Sequence, residues 1–153
     1  MSKSEAQMFS EMLVRRVDQI INSLDGLTPD EINQRPPVPE ANSLSVLAVH
    51  TMANVEENVF EILGGQPVGR VREQEFLAEG TSAEEIRSQW EALRSRVVEF
   101  LEGVTPEMMD REYEHARRGR VLGREVLLVA TAHAAEHAGH AELTKDWLLA
   151  QRS

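Results

Sequence analysis

Apolar residues recur every three or four positions along four stretches of the chain, and nowhere do they alternate with polar residues for long. The stretches run from about Glu5 to Leu24, Ser43 to Gly64, Thr81 to Gly103 and Arg124 to Leu149. Hydroxyl residues at the start of the second and third stretches suit helix N-termini, and glycines end both. The pattern predicts four long helices and no strands.

The connections between these helices indicate how the helices are arranged. Residues 64–80 and 105–123 form two long polar connections, which are expected to contain short helical or extended pieces at positions that no pattern marks. Four helices with long crossovers predict an all-α four-helix bundle. Because 153 residues are enough for one domain and too few for two ordinary ones, residues 1–153 are predicted to form a single domain.

Two similar segments follow the first and third predicted helices, "LDGLTPDEIN" from Leu24 and "LEGVTPEMMD" from Leu101. In each segment a glycine precedes a threonine that can cap a helix and a proline that suits the first helical position. The copies lie half the chain apart. We interpret the domain as two helix pairs built to one plan, the alternative being a chance likeness of two helix stops.

Charge and composition exclude several classes of function. The net charge is −10, and the basic run Arg117 to Arg120 is short, so no nucleic-acid partner is expected. Cysteine is absent, which leaves histidine and carboxylates as the metal ligands. The chain has no apolar signal segment and no run of the roughly 18 apolar residues that a membrane span needs. We predict a cytoplasmic protein without a membrane partner.

Three of the five histidines lie within the last predicted helix, in "HAAEHAGH". Residues four apart share a helix face, so His133 and His137 can bind one ion. His140 lies about 10.5 Å of axial rise from His133, too far for both to reach that ion. The ligand pair is therefore His133 with His137, or His137 with His140, with the third histidine beside the site.

A third ligand is expected from another helix. His50 interrupts the apolar face of the second predicted helix, where an unpaired polar group is costly. Alanines and Gly139 surround the histidines of the last helix, which leaves space for an ion or a ligand, or for close approach of another backbone. We predict a metal site at His50, His133 and His137. His115, in a charged segment, is predicted to be solvated.

The stretch "HAAEH" also fits the inverted zincin protease pattern, in which Glu136 would be the general base. Few residues follow His137, and a third carboxylate ligand on a separate helix is missing. Glu136 is also one position off the face of the two histidines, where it would contact solvent or an arginine. We therefore disfavour a protease.

The sequence resembles the DinB family, also called DinB/YfiT-like metalloenzymes. The matching stretches are "GLTPDEI", "SLSVLAVHTMANVE" and "GREVLLVATAHAAEHAGHAEL". The resemblance implies a four-helix bundle, often a homodimer, with a divalent metal held by His50, His133 and His137. It also implies a low-molecular-weight thiol as a possible co-substrate. Many members have Gln where this chain has His140, which allows another ligand set or an extra acid/base group.

The resulting hypothesis is a metal-dependent enzyme that activates water or a thiol to act on a small molecule, as a hydrolase or thiol S-transferase. Zn, Ni or Fe would suit an all-imidazole site. Glu57 and His140 are candidate proton carriers, Asn54 is a candidate for orienting the ligand, and Trp90 is predicted to be core. The alternatives are a non-catalytic metal or small-molecule binding protein and a purely structural dimerisation module.

Overall fold

The computed structural model describes residues 2–77 and 80–152, which are mostly helical. The elements, in chain order, are α1 (Glu5–Asn22), α2 (Pro29–Ile32), α3 (Leu44–Glu56), a π-helix (Glu57–Leu63), α4 (Arg72–Glu75), α5 (Ala83–Glu102), α6 (Pro106–Asp110), β1 (Glu112–His115), β2 (Gly119–Leu122) and α7 (Gly123–Ala150). The four long helices begin and end close to the positions that the hydrophobic pattern predicts. None of the helices in the described part of the chain is long and apolar enough to cross a membrane.

Hydroxyl side chains start most of these helices. Ser4, Ser43 and Ser82 each accept a hydrogen bond from the backbone N–H three residues later. The helix starts in the two similar segments match, because Thr28 caps α2 and Thr105 caps α6, each followed by a proline at the first helical position. The preceding glycines differ, since Gly26 has a φ of +75° and Gly103 a φ of −89°. The predicted likeness of these two helix starts is confirmed as local structure.

The long helices α1, α3, α5 and α7 surround one apolar core. Helix α1 packs against α5 and α7, and α3 packs against the same two helices. In the part of α7 that carries the histidines, the fully buried positions are small: Ala130, Ala134, Ala138 and Ala141. Larger apolar side chains fill the core on the other long helices, and Leu127 and Leu148 do so toward the two ends of α7. These four alanines are themselves packed in the core, so they leave no open space beside the predicted ligands.

The prediction that the chain contains no strands is wrong for the connection between α6 and α7. Strands β1 and β2 form an antiparallel hairpin in which Tyr113 faces Val121 and His115 faces Gly119. Gly119 has a φ of +73°, a conformation that favours glycine. In β1 the glutamates are exposed while Tyr113 and His115 face inward, an alternation of only four residues. That stretch is too short to stand out as a pattern.

The second predicted helix is not α-helical to its end. From Glu57 its hydrogen bonds change to the wider π spacing, and Gly64 N–H donates to the Val59 carbonyl. Across the start of the π-helix, the Asn58 side-chain amide donates to the backbone carbonyl oxygen of Asn54 at 2.8 Å. A π-helix often marks a functional site, because it shifts the following side chains around the helix axis.

Two glycines of α7 provide a matched test of the packing. A Cβ at Gly123 would overlap the backbone carbonyl oxygen of Met108, whereas a Cβ at Gly139 would meet nothing within 4 Å. We expect Gly123→Ala to lower the free energy of unfolding by about 3 kcal/mol, because backbone has to move. Gly139→Ala should raise it by about 1 kcal/mol, as in an open helix interior.

Urea denaturation of the two variants and the wild type measures both effects. A loss of stability in Gly139→Ala would mean that the open space next to this residue is filled in solution.

Candidate metal centre

Three histidines bring their ring nitrogens together between α3 and α7. The Nε2 atom of His133 lies 3.0 Å from Nε2 of His50 and 3.1 Å from Nε2 of His137. The three ligand atoms all lie within 4.8 Å of one another. Two nitrogens bound at 2.0–2.1 Å to a tetrahedral ion would be separated by about 3.3 Å. The spacing of this group, the histidine triad, therefore fits a metal ion.

Hydrogen bonding alone cannot satisfy the histidine triad when all three rings are neutral. His50 Nδ1 lies 2.8 Å from Glu75 Oε1, so this nitrogen carries the proton and His50 Nε2 presents a lone pair. A proton on His133 Nε2 can bridge to His50 or to His137, but one proton does not make two good bonds. One pair of nitrogens is left without a proton between them. A cation shared by the three lone pairs removes this conflict.

The triad histidines are neutral at physiological pH. Burial, together with the neighbouring imidazoles, lowers the pKa of His133 to about 3 and that of His137 to about 4. Burial also lowers the pKa of His50, although Glu75 opposes the effect. Metal binding needs neutral imidazole, because a protonated ring nitrogen has no lone pair to donate. The burial of the triad thus favours the protonation state that a metal ligand requires.

Glu75 holds the His50 ring and was missed by the sequence analysis. It belongs to the short helix α4 and is buried beside α3. A carboxylate that accepts the second N–H of a ligating histidine fixes the tautomer and orientation of the ring. In the sequence Glu75 is one of three acidic residues in a polar connection, with no periodicity to indicate which of them is buried.

Arg70 links Glu75 to Glu57 in a buried ionic network. Its Nε and Nη2 atoms donate to the two oxygens of Glu75 at 2.8 and 3.0 Å, and Nη1 donates to Glu57 at 2.6 Å. Arg117 donates to the same Glu57 oxygen at 2.9 Å. Burial alone would raise the pKa of Glu75, but Arg70 and His50 outweigh burial and hold it below its usual range. Glu75 therefore stays a carboxylate.

His140 is next to the triad and is not part of it. Its Nδ1 atom lies 3.3 Å from Nδ1 of His137, on the side of that ring away from the other two histidines. The side chain is exposed. Of the two ligand pairs left open by the spacing, His133 with His137 is the one whose nitrogens converge on His50. His140 can accept a hydrogen bond from His137 and so orient its ring.

The prediction that His115 is solvated is wrong. His115 is 5% exposed, because it lies on the inward face of the β1–β2 hairpin. Its Nδ1 atom accepts a hydrogen bond from the backbone N–H of Arg117 at 3.2 Å, which leaves the proton on Nε2. Nε2 is buried and has no hydrogen-bond partner. The histidine is neutral, because burial and the neighbouring arginines lower its pKa.

The structure also gives the positions of the other residues for which the sequence suggested a role. Asn54 is buried and accepts from the Asn58 amide, also at its side-chain oxygen. Glu136 is exposed, off the face of the triad. Trp90 is core, as predicted, and its indole N–H donates to Asp18. No other backbone approaches Gly139, so close backbone approach is not the reason for this glycine.

Two cavities border the triad. The first, of about 570 Å³, is lined by His137, His140, Trp147, Leu143 and the proline-rich residues 36–39, and we call it the apolar cavity. The second, of about 420 Å³, is lined by His50, His133 and His115 together with four arginines, and we call it the arginine cavity. The arginines are Arg70, Arg72, Arg117 and Arg118. The triad therefore borders two spaces of different chemistry.

Comparison with known proteins identifies the family and supports the fold. The model of the DinB superfamily matches residues 12–141. The crystal structure of the conserved protein of locus from Enterococcus faecalis superposes with a TM-score of 0.77 at 17% sequence identity, over 98% of this chain and 100% of that chain. At that identity the likeness concerns the fold alone. No curated protein matches the chain.

Replacing Arg70 tests whether the buried network supports the site. The Arg70 side chain is 5% exposed, so Arg70→Met leaves the buried Glu75 without an arginine, whereas the half-buried Glu57 keeps Arg117. We expect this variant to lose about 3 to 5 kcal/mol of unfolding free energy, measured by urea denaturation.

Arg87→Met is the matched control, because Arg87 and its partner Asp25 are both well exposed. This variant should lose less than about 1 kcal/mol. Equal losses in the two variants would contradict a special role for the buried network.

Proposed function

This chain belongs to the DinB superfamily, and we propose that it is a divalent-metal-dependent enzyme that acts on a small molecule. His50, His133 and His137 would hold the ion. The observation that carries the proposal is that His133 Nε2 lies about 3 Å from Nε2 of both His50 and His137, all three rings being neutral, with the remaining N–H of His50 bonded to Glu75. Three imidazoles leave coordination positions open for water or substrate, as in catalytic sites.

The ion would supply the nucleophile, because it lowers the pKa of a bound water or thiol toward neutrality. The proposed reactions are hydrolysis of a small substrate or transfer of a low-molecular-weight thiol to an electrophile. Zn, Ni and Fe suit a site of three imidazoles, and their availability in the cell selects among them. The two cavities that border the triad provide room for a substrate and a co-substrate.

Of the two candidate proton carriers, His140 is the better placed. It lines the apolar cavity beside His137 and is exposed, so it can exchange protons with solvent. Glu57 accepts hydrogen bonds from both Arg70 and Arg117 on the same carboxylate oxygen, so these two arginines occupy that oxygen. We therefore assign proton transfer to His140. The role we assign to Glu57 is to hold Arg70 and Arg117 in position. Asn54 lines the arginine cavity, where its amide can contact a ligand.

The proposal also includes a four-helix bundle with long crossovers, located in the cytoplasm and assembled as a homodimer. The mutual packing of α1, α3, α5 and α7 supports the bundle. Val38 and Leu143 are 60% and 70% exposed and both line the apolar cavity, so this side of the molecule offers apolar surface for a second copy or for a substrate.

Metal content is the first test. Protein purified without a histidine tag should contain about one divalent ion per chain, measured by inductively coupled plasma mass spectrometry. Adding Zn or Ni to metal-free protein, at a thousandfold excess over the dissociation constant, should raise the melting temperature by roughly 10 °C. His137→Ala should abolish both results.

His140→Ala is the matched control, because it removes an imidazole one turn away on the same helix. It should retain the stoichiometric ion. Loss of the ion in His140→Ala with retention in His50→Ala would favour the His137 and His140 ligand pair. Absence of both bound metal and thermal stabilisation in the wild type would reject the metal site and leave the structural dimerisation module.

Turnover separates an enzyme from the second candidate function, a non-catalytic metal or small-molecule binding protein. The three imidazoles are neutral and would leave coordination positions of the ion open, which favours catalysis. We therefore expect the wild type to turn over at least one substrate in a panel of esters, amides, lactams and thiol-plus-electrophile pairs. His137→Ala should lose that activity by at least about a hundredfold, since the nucleophile would no longer be activated.

Activity that survives in His137→Ala would eliminate the metal mechanism. A stoichiometric ion without turnover of any substrate in the panel would favour the binding protein.

A further inference from the structure

We propose that the arginine cavity is an anion subsite, which holds a carboxylate or phosphate group of the substrate beside the histidine triad. The substrate would then be an anionic small molecule. Its position relative to the reacting atoms rests on the proposed function, whereas the binding of the anion rests on the residues of the cavity alone.

The charge of the cavity is opposite to that of the protein. The chain carries a net charge of −10, with 16 basic and 26 acidic residues. Four of those 16 basic residues, Arg70, Arg72, Arg117 and Arg118, line this one cavity. Glu136 is the single acidic residue that lines it among the described residues. Glu57 and Glu75 offset the charges of Arg70 and Arg117, so the excess positive charge lies on Arg72 and Arg118. An excess of one sign of charge in a cleft attracts ligands of the opposite charge.

Two of the four arginines are committed to the buried network, and two are not. Arg70 and Arg117 bind Glu57, and Arg70 also binds Glu75. Arg72 and Arg118 form no ion pair with any carboxylate in the described ranges 2–77 and 80–152. A guanidinium group binds a carboxylate or phosphate through two parallel N–H donors. Arg72 and Arg118 are therefore available to bind the anion.

His115 adds a neutral donor at the same cavity. Its Nε2–H is buried and has no partner in the protein, although an unsatisfied buried donor costs about 1 to 3 kcal/mol. His115 lines the arginine cavity, and an anionic oxygen there would provide the missing acceptor once the atoms that cover Nε2 move aside. The tautomer that donates is fixed from the other side of the ring by the Arg117 N–H, which occupies Nδ1. A merely structural histidine would be expected to have both nitrogens satisfied.

The position of the cavity relates the anion to the triad. His50 and His133 line the arginine cavity, while His137 lines the apolar cavity. A substrate with its anionic group among the arginines would extend past the histidines toward Trp147 and Leu143. The substrate class that fits both cavities has an anionic group at one end and an apolar group at the other.

Binding of simple anions to the full-length chain tests the subsite. The probes are sulfate, which has the tetrahedral shape of a phosphate group, and propionate, each added to metal-free and to metal-loaded protein. Long-range 1H–15N spectra of histidine-labelled protein report on the His115 Nε2 resonance. We expect a saturable shift of this resonance with sulfate or with propionate, and none with the uncharged propionamide. The probe that binds more tightly distinguishes phosphate from carboxylate chemistry.

Arg72→Gln/Arg118→Gln should weaken the binding of the anion by at least about tenfold, because it removes two charged donors. Arg87→Gln/Arg94→Gln is the matched control, since it removes two exposed arginines from α5 and changes the net charge equally. The control should bind the anion like the wild type. Equal affinities in both double variants would overturn the proposal.

The outcomes also separate this inference from the proposed metal function. A saturable shift in protein that binds no metal would support the subsite and reject the metal enzyme. Stoichiometric metal without a saturable anion shift in the wild type would overturn the subsite alone, and this result needs no variant to fold.

Discussion

The close approach of three uncharged imidazole nitrogens is the constraint on which the rest of the structure depends. Lone pairs at about 3 Å repel one another unless a proton or a cation lies between them, and two of the three rings come from one helix. The third ring, that of His50, comes from another helix and has to be fixed through its other nitrogen, Nδ1. Glu75 does this, and it can stay charged in a buried position because Arg70 pairs with both of its oxygens.

Helix α3 and its π-helical end connect this site to the core. Almost every residue of α3 is buried, so each polar side chain on it needs a partner. His50 has Glu75, Thr51 bonds the Leu47 carbonyl, and Asn54 accepts from Asn58. The π-helix then begins at Glu57, which receives Arg70 and Arg117. The wider helix thus begins at the glutamate that joins the two arginines of the ionic network.

The triad and the long helices were predictable from the sequence, because both follow from helical periodicity. His133 and His137 share a face at a spacing of four, and His50 interrupts an apolar face. The supporting residues were not predictable in this way. Glu75 and Arg70 lie in a connection without periodicity, and Glu75 meets His50 across 25 positions of the chain. The prediction that His115 is solvated was wrong, because its neighbours in the sequence are mostly charged. They gave no sign of a four-residue strand in which every second side chain faces inward.

The ionic network also decides how charge is distributed around the triad. Arg70 and Arg117 would repel a divalent cation held by the histidines if their charges were not offset. Glu57 and Glu75 supply two negative charges against these two positive ones, at contact distance, so the network is neutral as a whole. Arg72 and Arg118, which also line the arginine cavity, are not part of this network, so its glutamates do not offset their charges. A cation on the triad would add to their attraction for an anion, so the anion subsite and the metal centre would strengthen each other.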